Sequence, residues 1–208
     1  MSVRVRLLLA ACGWLCALAC QAAPEFAAER ASADARYAAA WVLAGADNRN
    51  LPFAVVDKRD ARIYVFDARG RLAGASAVLL GITSGDFSVG IDRAPASLSL
   101  AERTTPAGRF EAQPGRNDKG EDIVWVDYAA SLAIHRLRPA AAQERRPARL
   151  ASPTPDDNRI SAGCVIVPVA FYESVVAPTL GSGASVVYVL PETHPARSMF
   201  EALDLELL

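Results

Sequence analysis

The chain has 208 residues and a formal net charge of −1, with 22 Lys and Arg against 23 Asp and Glu. After removal of an export signal, a length of this order is typical of one domain with one sizeable core. The basic residues are scattered rather than gathered on one face. The charge balance therefore excludes a nucleic-acid-binding protein.

The N-terminus has the pattern of an export signal. Arg4 and Arg6 precede an apolar run at residues 7–19, which small residues follow. This run is shorter than the roughly 20 residues that span a bilayer, so we predict a cleaved signal peptide at residues 1–23 and a location in the periplasm or cell envelope. Two cleavage patterns stay open: Cys20-Gln21-Ala22 suits ordinary signal peptidase, and residues 17–20 resemble a lipoprotein box. Membrane contact is expected only if Cys20 carries lipid.

Removal of the signal leaves one cysteine in the domain. Cys12 and Cys16 lie within the signal, and Cys20 is either lost or lipidated. Because exported proteins meet an oxidising compartment, an unpaired thiol there indicates a reactive residue. Cys164 is therefore a candidate nucleophile. Its alternative role is that of a small buried apolar residue.

Residues 24–50 are interpreted as a helical N-terminal extension. The stretch 27–48 is rich in Ala, and Tyr37 and Trp41 are four residues apart, which favours a helix with one aromatic stripe. We interpret the stripe as a packing face that contacts the main domain.

Short β-rich runs dominate the catalytic domain predicted at residues 51–191. Residues 53–57 and 62–67 form a predicted hairpin around the polar turn 58–60. Further predicted strands are 75–80, the strand opened by the turn 105–110, 123–128, 131–135 and 184–190. The fold class is therefore mainly β with some α.

The polar segment 138–158 interrupts this pattern and contains Arg145, Arg146 and Arg149. Long loops inside compact domains are often lids or binding segments, so we interpret it as a candidate lid, with an exposed charged insert as the alternative. Pro168 suits the first position of a helix that continues to about Val176. Residues 192–208 are interpreted as a C-terminal tail.

A thiol becomes a strong nucleophile when a nearby imidazole takes its proton and holds the thiolate as an ion pair. The chain has two histidines. His194 follows the last predicted strand and is interpreted as a surface residue, whereas His135 ends a strand just before the loop that returns to Cys164. We therefore predict a Cys164–His135 dyad. Two histidines and one domain cysteine are too few for a metal site, no phosphate-binding loop is present, and we expect no cofactor.

These elements occur in the order seen in L,D-transpeptidase catalytic domains of the YkuD family, and the chain resembles that family over residues 51–191. The resemblance is carried by the run 53–67, the apolar residues 77–81, the Thr105-Pro106-Ala107-Gly108-Arg109-Phe110 turn, Ala133-Ile134-His135 and Ser161-Ala162-Gly163-Cys164.

The resemblance implies a β-sandwich-like domain that acts on peptidoglycan stem peptides, with Cys164 as nucleophile and His135 as base. It also suggests the backbone carbonyl of Arg136 as the group that orients His135. Backbone N–H groups of Gly163 and Cys164 are candidates for an oxyanion hole. Ser161 is expected to shape the turn rather than to act as a second nucleophile.

The chain departs from the family at two positions, because Ala162 and Ile166 stand where His and Arg are usual. Arg159 or Arg136 is the expected replacement for the missing guanidinium in substrate binding. The leading hypothesis is an L,D-transpeptidase in cell-wall cross-linking or remodelling. A hydrolase that resolves the same thioester with water and a catalytically silent peptidoglycan-binding domain are the alternatives.

Overall fold

The computed structural model describes residues 26–87 and 97–206. The strands are β1 (Phe53–Asp57), β2 (Arg62–Phe66), β3 (Leu72–Ala77), β4 (Leu80–Gly81), β5 (Gly108–Arg116), β6 (Asp122–Asp127), β7 (Leu132–Arg136), β8 (Arg159–Ser161), β9 (Val165–Val167) and β10 (Ser185–Val189). The α-helices are α1 (Ala33–Ala44), α2 (Arg146–Leu150), α3 (Val169–Phe171), α4 (Ala177–Thr179) and α5 (Ala196–Glu206). The predicted fold class, mainly β with some α, is confirmed.

Eight strands form one mixed sheet in the order β3-β2-β1-β10-β5-β6-β7-β9, and β4 pairs with β8 in a small second sheet. Within the large sheet, β1–β10 and β7–β9 are parallel and the other pairs antiparallel. Leu79 and Ile166 exchange backbone hydrogen bonds of 2.8 and 2.9 Å. Because Leu79 follows the edge strand β3 and Ile166 lies in the opposite edge strand β9, the sheet curls until its two ends meet.

The curled sheet places its two halves around one apolar core. Alternate residues of a strand point to opposite faces, and the inner-facing residues of both halves pack together. This inner core includes Val56, Ile63, Val124, Ile134, Val165 and Val187, closed by Tyr172, Val176 and Leu180 from the helical segment after β9. That segment, predicted to begin at Pro168, is α3, a π-helical turn at Tyr172–Val176, and α4.

A second core covers the outer face of β1, β2 and β10. The helices α1 and α5 pack there around Phe53, Phe66 and Tyr188. Ser32 caps α1, since its Oγ accepts a hydrogen bond from Ala35 N at 2.9 Å. The segment interpreted as a tail therefore contains a packed helix, α5. Its Phe200 is fully buried and contributes roughly 2 kcal/mol of apolar burial.

The predicted signal peptide, residues 1–23, lies outside the described residues, as do Cys12, Cys16 and Cys20. In the described ranges, no helix has the length and apolar character that a bilayer crossing requires. The segment 138–158 contains two 3-10 turns, Ala142–Glu144 and Pro155–Asn158, around α2. It is held by its own hydrogen bonds, including those of Arg149 to the carbonyl oxygens of Glu144 (2.9 Å) and Asp157 (2.7 Å).

Candidate active site

The parallel neighbours β7 and β9 bring the two predicted reactive residues onto one face. The register pairs Ile134 with Val165 and His135 with Ile166. Ile134 and Val165 point into the inner core, so His135 and Cys164 lie on the opposite, outer face. Cys164 is two residues before Ile166 and is thus a diagonal neighbour of His135. Diagonal positions are about 7–8 Å apart, which long side chains can span.

The backbone fixes the tautomer of His135. Its Nδ1 lies 2.8 Å from the carbonyl oxygen of Arg136, which can only accept a hydrogen bond. Nδ1 therefore carries the proton, and Nε2 keeps the lone pair that a base needs. The carbonyl of Arg136 thus occupies the position suggested by the sequence.

The surroundings of His135 favour its neutral form. Burial lowers the pKa of His135 to about 4, and the positive charges of Arg138 and Arg146 act in the same direction. The hydrogen bond to Arg136 opposes them. The imidazole is consequently uncharged near pH 7.

The Cys164 thiol is also neutral at rest. Its Sγ lies 3.5 Å from the carbonyl oxygen of Ser131, in the β6–β7 turn. Burial raises the pKa of Cys164, while a backbone N–H of Ala133 and the charge of Arg138 oppose the rise. In residues 26–87 and 97–206, no hydrogen bond joins Cys164 to His135. The expected thiolate–imidazolium pair is therefore not the resting state, because burial disfavours both charged forms.

Ser161 holds the turn that carries the thiol. Its hydroxyl donates to the carbonyl oxygen of Cys164 at 2.7 Å and accepts from Gly163 N at 3.0 Å. The second bond corrects one expectation, because the Gly163 N–H is already engaged and is not free for an oxyanion. Cys164 N–H is the remaining candidate of that pair.

The backbone at position 163 requires glycine. Its φ is +140°, and a Cβ there would lie 2.7 Å from the carbonyl oxygen of Thr104. Only glycine combines this backbone conformation with such a close approach. The next residue, Thr105, is fully buried, and its Oγ1 donates to the carbonyl oxygen of Gly163 at 2.7 Å. The Thr-Pro turn thus packs directly behind the Gly163–Cys164 turn.

The arginines suggested for substrate binding have internal partners. Arg159 pairs with both carboxylate oxygens of Glu192 and donates to the carbonyl oxygen of Lys58 at 2.9 Å, with only 10% of its side chain exposed. The Arg136 guanidinium stacks 4.4 Å from the centroid of Tyr172. The structure therefore gives Arg159 an ion pair and Arg136 a ring contact within the protein. The Ser161 hydroxyl makes two hydrogen bonds within its own turn.

A groove next to His135 offers other guanidinium groups. It has a volume of about 470 Å³ and lies between the end of β7, the segment 138–158 and the start of α3. Arg138, Arg145 and Arg146 line it. Arg138 Nε lies 2.6 Å from Glu121 Oε2. The sequence interpretation missed Arg138, although it is three residues after His135.

The residues that the structure describes contain no cluster of three or more His, Cys, Asp or Glu suited to a metal ion.

No protein-family model matches the chain, and a search of curated proteins finds no match. A search of solved structures finds similar chains. A variant of the helical cell shape determining protein Pgp2 from Campylobacter jejuni has a TM-score of 0.45 and 14% identity over 76% of this chain and 55% of that one. The L,D-transpeptidase from Xylanimonas cellulosilytica has a TM-score of 0.41 and 14% identity over 67% of this chain and 60% of that one.

A variant of Enterococcus faecium L,D-transpeptidase has a TM-score of 0.38 and 15% identity over 67% of this chain and 49% of that one. The chain thus spans about half to three-fifths of the length of these proteins. At such scores and identities, the likeness concerns the backbone arrangement and says nothing about activity.

Proposed function

We propose that the protein is an L,D-transpeptidase that acts on peptidoglycan stem peptides through a thioester on Cys164. The proposal is supported chiefly by the pairing of His135 with Ile166, two residues after Cys164, and by the contact of His135 Nδ1 with the Arg136 carbonyl, which leaves Nε2 as the basic nitrogen. The ordered motifs around them support the same interpretation.

The first half-reaction forms the thioester. His135 Nε2 takes the thiol proton while Sγ attacks the carbonyl between the L-centre of a diamino acid and the terminal D-residue. Cys164 N–H donates to the oxyanion. When the C–N bond breaks, His135 returns the proton to the leaving amine, and the D-residue departs.

The second half-reaction regenerates the thiol. An amine from a second stem attacks the thioester, His135 accepts the amine proton, and the proton then goes to the departing sulfur. The product is a new amide bond between two stems.

The resting pKa values constrain this mechanism. An ordinary thiol has a pKa of about 8.5, and burial places that of Cys164 higher, whereas that of His135 is about 4. Burial therefore disfavours a preformed ion pair. Proton transfer must accompany attack, and the Arg138 charge, which lowers the pKa of Cys164, favours the developing thiolate.

The proposed location is the periplasm or cell envelope, where the stem peptides are found. Export rests on the pattern of residues 1–23, and the same pattern leaves lipidation of Cys20 as an alternative to ordinary cleavage. The mass of the mature protein, and whether it is released or anchored in the membrane, would show which cleavage occurs.

The test is incubation of the purified protein with muropeptides that carry tetrapeptide stems, with product masses as the readout. Cross-linked dimers support the proposal. Shortened stems without dimers indicate a hydrolase that uses the same thioester, and unchanged stems indicate a binding domain. Cys164→Ala and His135→Gln should abolish product formation. His194→Gln is the matched control, since 43% of the His194 side chain is exposed and its Nδ1 faces Asp86 instead.

A further inference from the structure

Lys58 lies in the β1–β2 turn, where a charged residue is expected to face solvent, yet it is fully buried. Its ammonium group donates three hydrogen bonds: to the carbonyl oxygen of Gly85 (2.6 Å), to Asp86 Oδ1 (2.7 Å) and to the carbonyl oxygen of Thr105 (2.7 Å). An ammonium has three donors, so all of them are used.

Asp86 is fixed from a second direction. Its carboxylate accepts from the backbone N–H groups of Glu192 and Thr193, each at 2.9 Å, and from the Thr193 hydroxyl. Although burial opposes it, these bonds and Lys58 hold the pKa of Asp86 well below its ordinary value. Lys58 and Asp86 therefore form a buried pair with Asp86 ionised.

A buried pair of this kind is not explained by stability alone. Replacing buried ion pairs with apolar residues of similar volume is often neutral or stabilising, because desolvation offsets the attraction. What such a pair does provide is a fixed geometry, since each partner must keep its hydrogen bonds.

The geometry fixed by Lys58 continues to the nucleophile turn. Lys58 holds the carbonyl of Thr105, and Thr105 Oγ1 accepts from Gly81 N at 2.9 Å and donates to the carbonyl oxygen of Gly163 at 2.7 Å. Gly163 directly precedes Cys164. Two hydrogen bonds and two residues, Thr105 and Gly163, thus separate the buried ammonium from the thiol-bearing residue.

We propose that Lys58 and Thr105 are positioning residues that hold the Gly163–Cys164 turn, and so keep Cys164 Sγ beside the carbonyl oxygen of Ser131 and on the His135 face. Neither residue touches substrate. The inference deepens the proposed function and rests on it for the role of Cys164 as nucleophile.

The first test measures the alkylation of Cys164 by iodoacetamide from pH 6 to 10 in the full chain, followed on the Cys164 peptide by mass spectrometry. This readout requires no substrate. Thr105→Val keeps the side-chain shape but removes both hydroxyl hydrogen bonds. We expect Thr105→Val to shift the midpoint of the pH profile. The pKa of Cys164 depends first on burial, which raises it, and then on the backbone N–H of Ala133, which lowers it, and a displaced Sγ changes both.

Thr105→Ser should restore the wild-type profile, because its hydroxyl can make both bonds. Ser185→Ala is the matched control: it removes a buried hydroxyl from β10, whose partner is the carbonyl oxygen of Leu180. This control should leave the profile unchanged. A folded Thr105→Val protein with the wild-type profile, or a Thr105→Ser protein that behaves like Thr105→Val, would overturn the proposal.

Lys58→Met tests the first hydrogen bond in the series from Lys58 through Thr105 to Gly163. If it folds, its alkylation profile should shift in the same direction as that of Thr105→Val, and a wild-type profile would overturn the role of Lys58. If it does not fold, Lys58→Arg takes its place, because the bulkier guanidinium cannot reproduce the three bonds and should also shift the profile. Failure of the proposed function is seen separately: the muropeptide assay would then show unchanged stems while the Thr105 series still shifts alkylation.

Discussion

Replacing Gly163 with Ala tests whether the nucleophile turn is as tightly constrained as its contacts indicate. A side chain at a φ of +140° costs on the order of 1–3 kcal/mol. In addition, the new Cβ would lie 2.7 Å from the backbone oxygen of Thr104, so the turn or its neighbour must move. We expect the free energy of unfolding to fall by about 3 kcal/mol, which corresponds to a decrease in Tm of roughly 6–12 °C.

Substitutions at two other glycines distinguish the effect of backbone strain from that of the close contact with Thr104. Gly120 has a φ of +76° with nothing within 4 Å of an added Cβ, and Gly183 has the same free space without a positive φ. Gly120→Ala should lose about 1 kcal/mol through strain alone, whereas Gly183→Ala should be neutral or slightly stabilising. Neither should alter the reactivity of Cys164.

Thermal denaturation followed by circular dichroism gives the stabilities, and alkylation of the Cys164 peptide gives the reactivity. Gly163→Ala should also change the rate of Cys164 alkylation, because the turn that carries Sγ is displaced. If Gly163→Ala matches Gly120→Ala in stability and the wild type in alkylation, the argument that Thr104 and Gly163 fix this turn is refuted.

Four further predictions concern the charges around the site. Because only neutral His135 acts as a base, kcat/KM should fall as the pH drops through about 4, and a limb near 6.5 would contradict this. Between pH 6.5 and 4, His135 is protonated in the unfolded chain but neutral in the folded chain. About 3 kcal/mol of stability should therefore be lost as the pH falls through that window. Urea unfolding of the wild type and His135→Gln should show a smaller loss in the variant. In Arg138→Met the pKa values of both His135 and Cys164 should rise, moving the acid limb and the alkylation profile to higher pH; unmoved profiles would contradict the contact. Arg159→Met should lower the free energy of unfolding by about 3 kcal/mol, because it removes the guanidinium partner of buried Glu192, while KM stays unchanged; a raised KM in a stable protein would return Arg159 to the substrate site.

Local sequence patterns predicted most strands of the large sheet, but they missed β8 and β9 and placed one strand at 75–80, where β3 spans Leu72–Ala77. The hairpin of β1 and β2 follows from two β-branched runs around a polar turn, and its predicted strands agree with the structure to within one residue. The first helix was predicted over 27–48 but spans Ala33–Ala44. Ser32 as N-cap and Gly45 after the last turn were signals in the sequence that define these ends.

The partners of buried charges could not be predicted in this way. Lys58 has the local pattern of an exposed turn residue, and its partners come from the segments around Gly85, Thr105 and Glu192. Arg159 likewise seemed free for substrate because Glu192 is distant in sequence. Such contacts depend on how the loops meet in three dimensions, which hydrophobic periodicity does not describe.

The sequence contained more information about the candidate dyad than about the partners of the buried charges. A lone domain cysteine and a strand-end histidine suggested that the two residues meet, and the parallel β7–β9 pair places them on one face. Their charge state was not accessible, because it depends on burial and on the position of Arg138.

The most direct test of the central claim is detection of the acyl-enzyme. The full chain is mixed with a tetrapeptide-stem muropeptide, quenched in acid within seconds and digested, and the Cys164 peptide is weighed. Our account predicts a peptide heavier by the stem without its terminal D-residue, with the adduct released by hydroxylamine and absent in His135→Gln. Stem processing by the Cys164→Ala protein, or turnover by the wild type with Cys164 never modified, would contradict it.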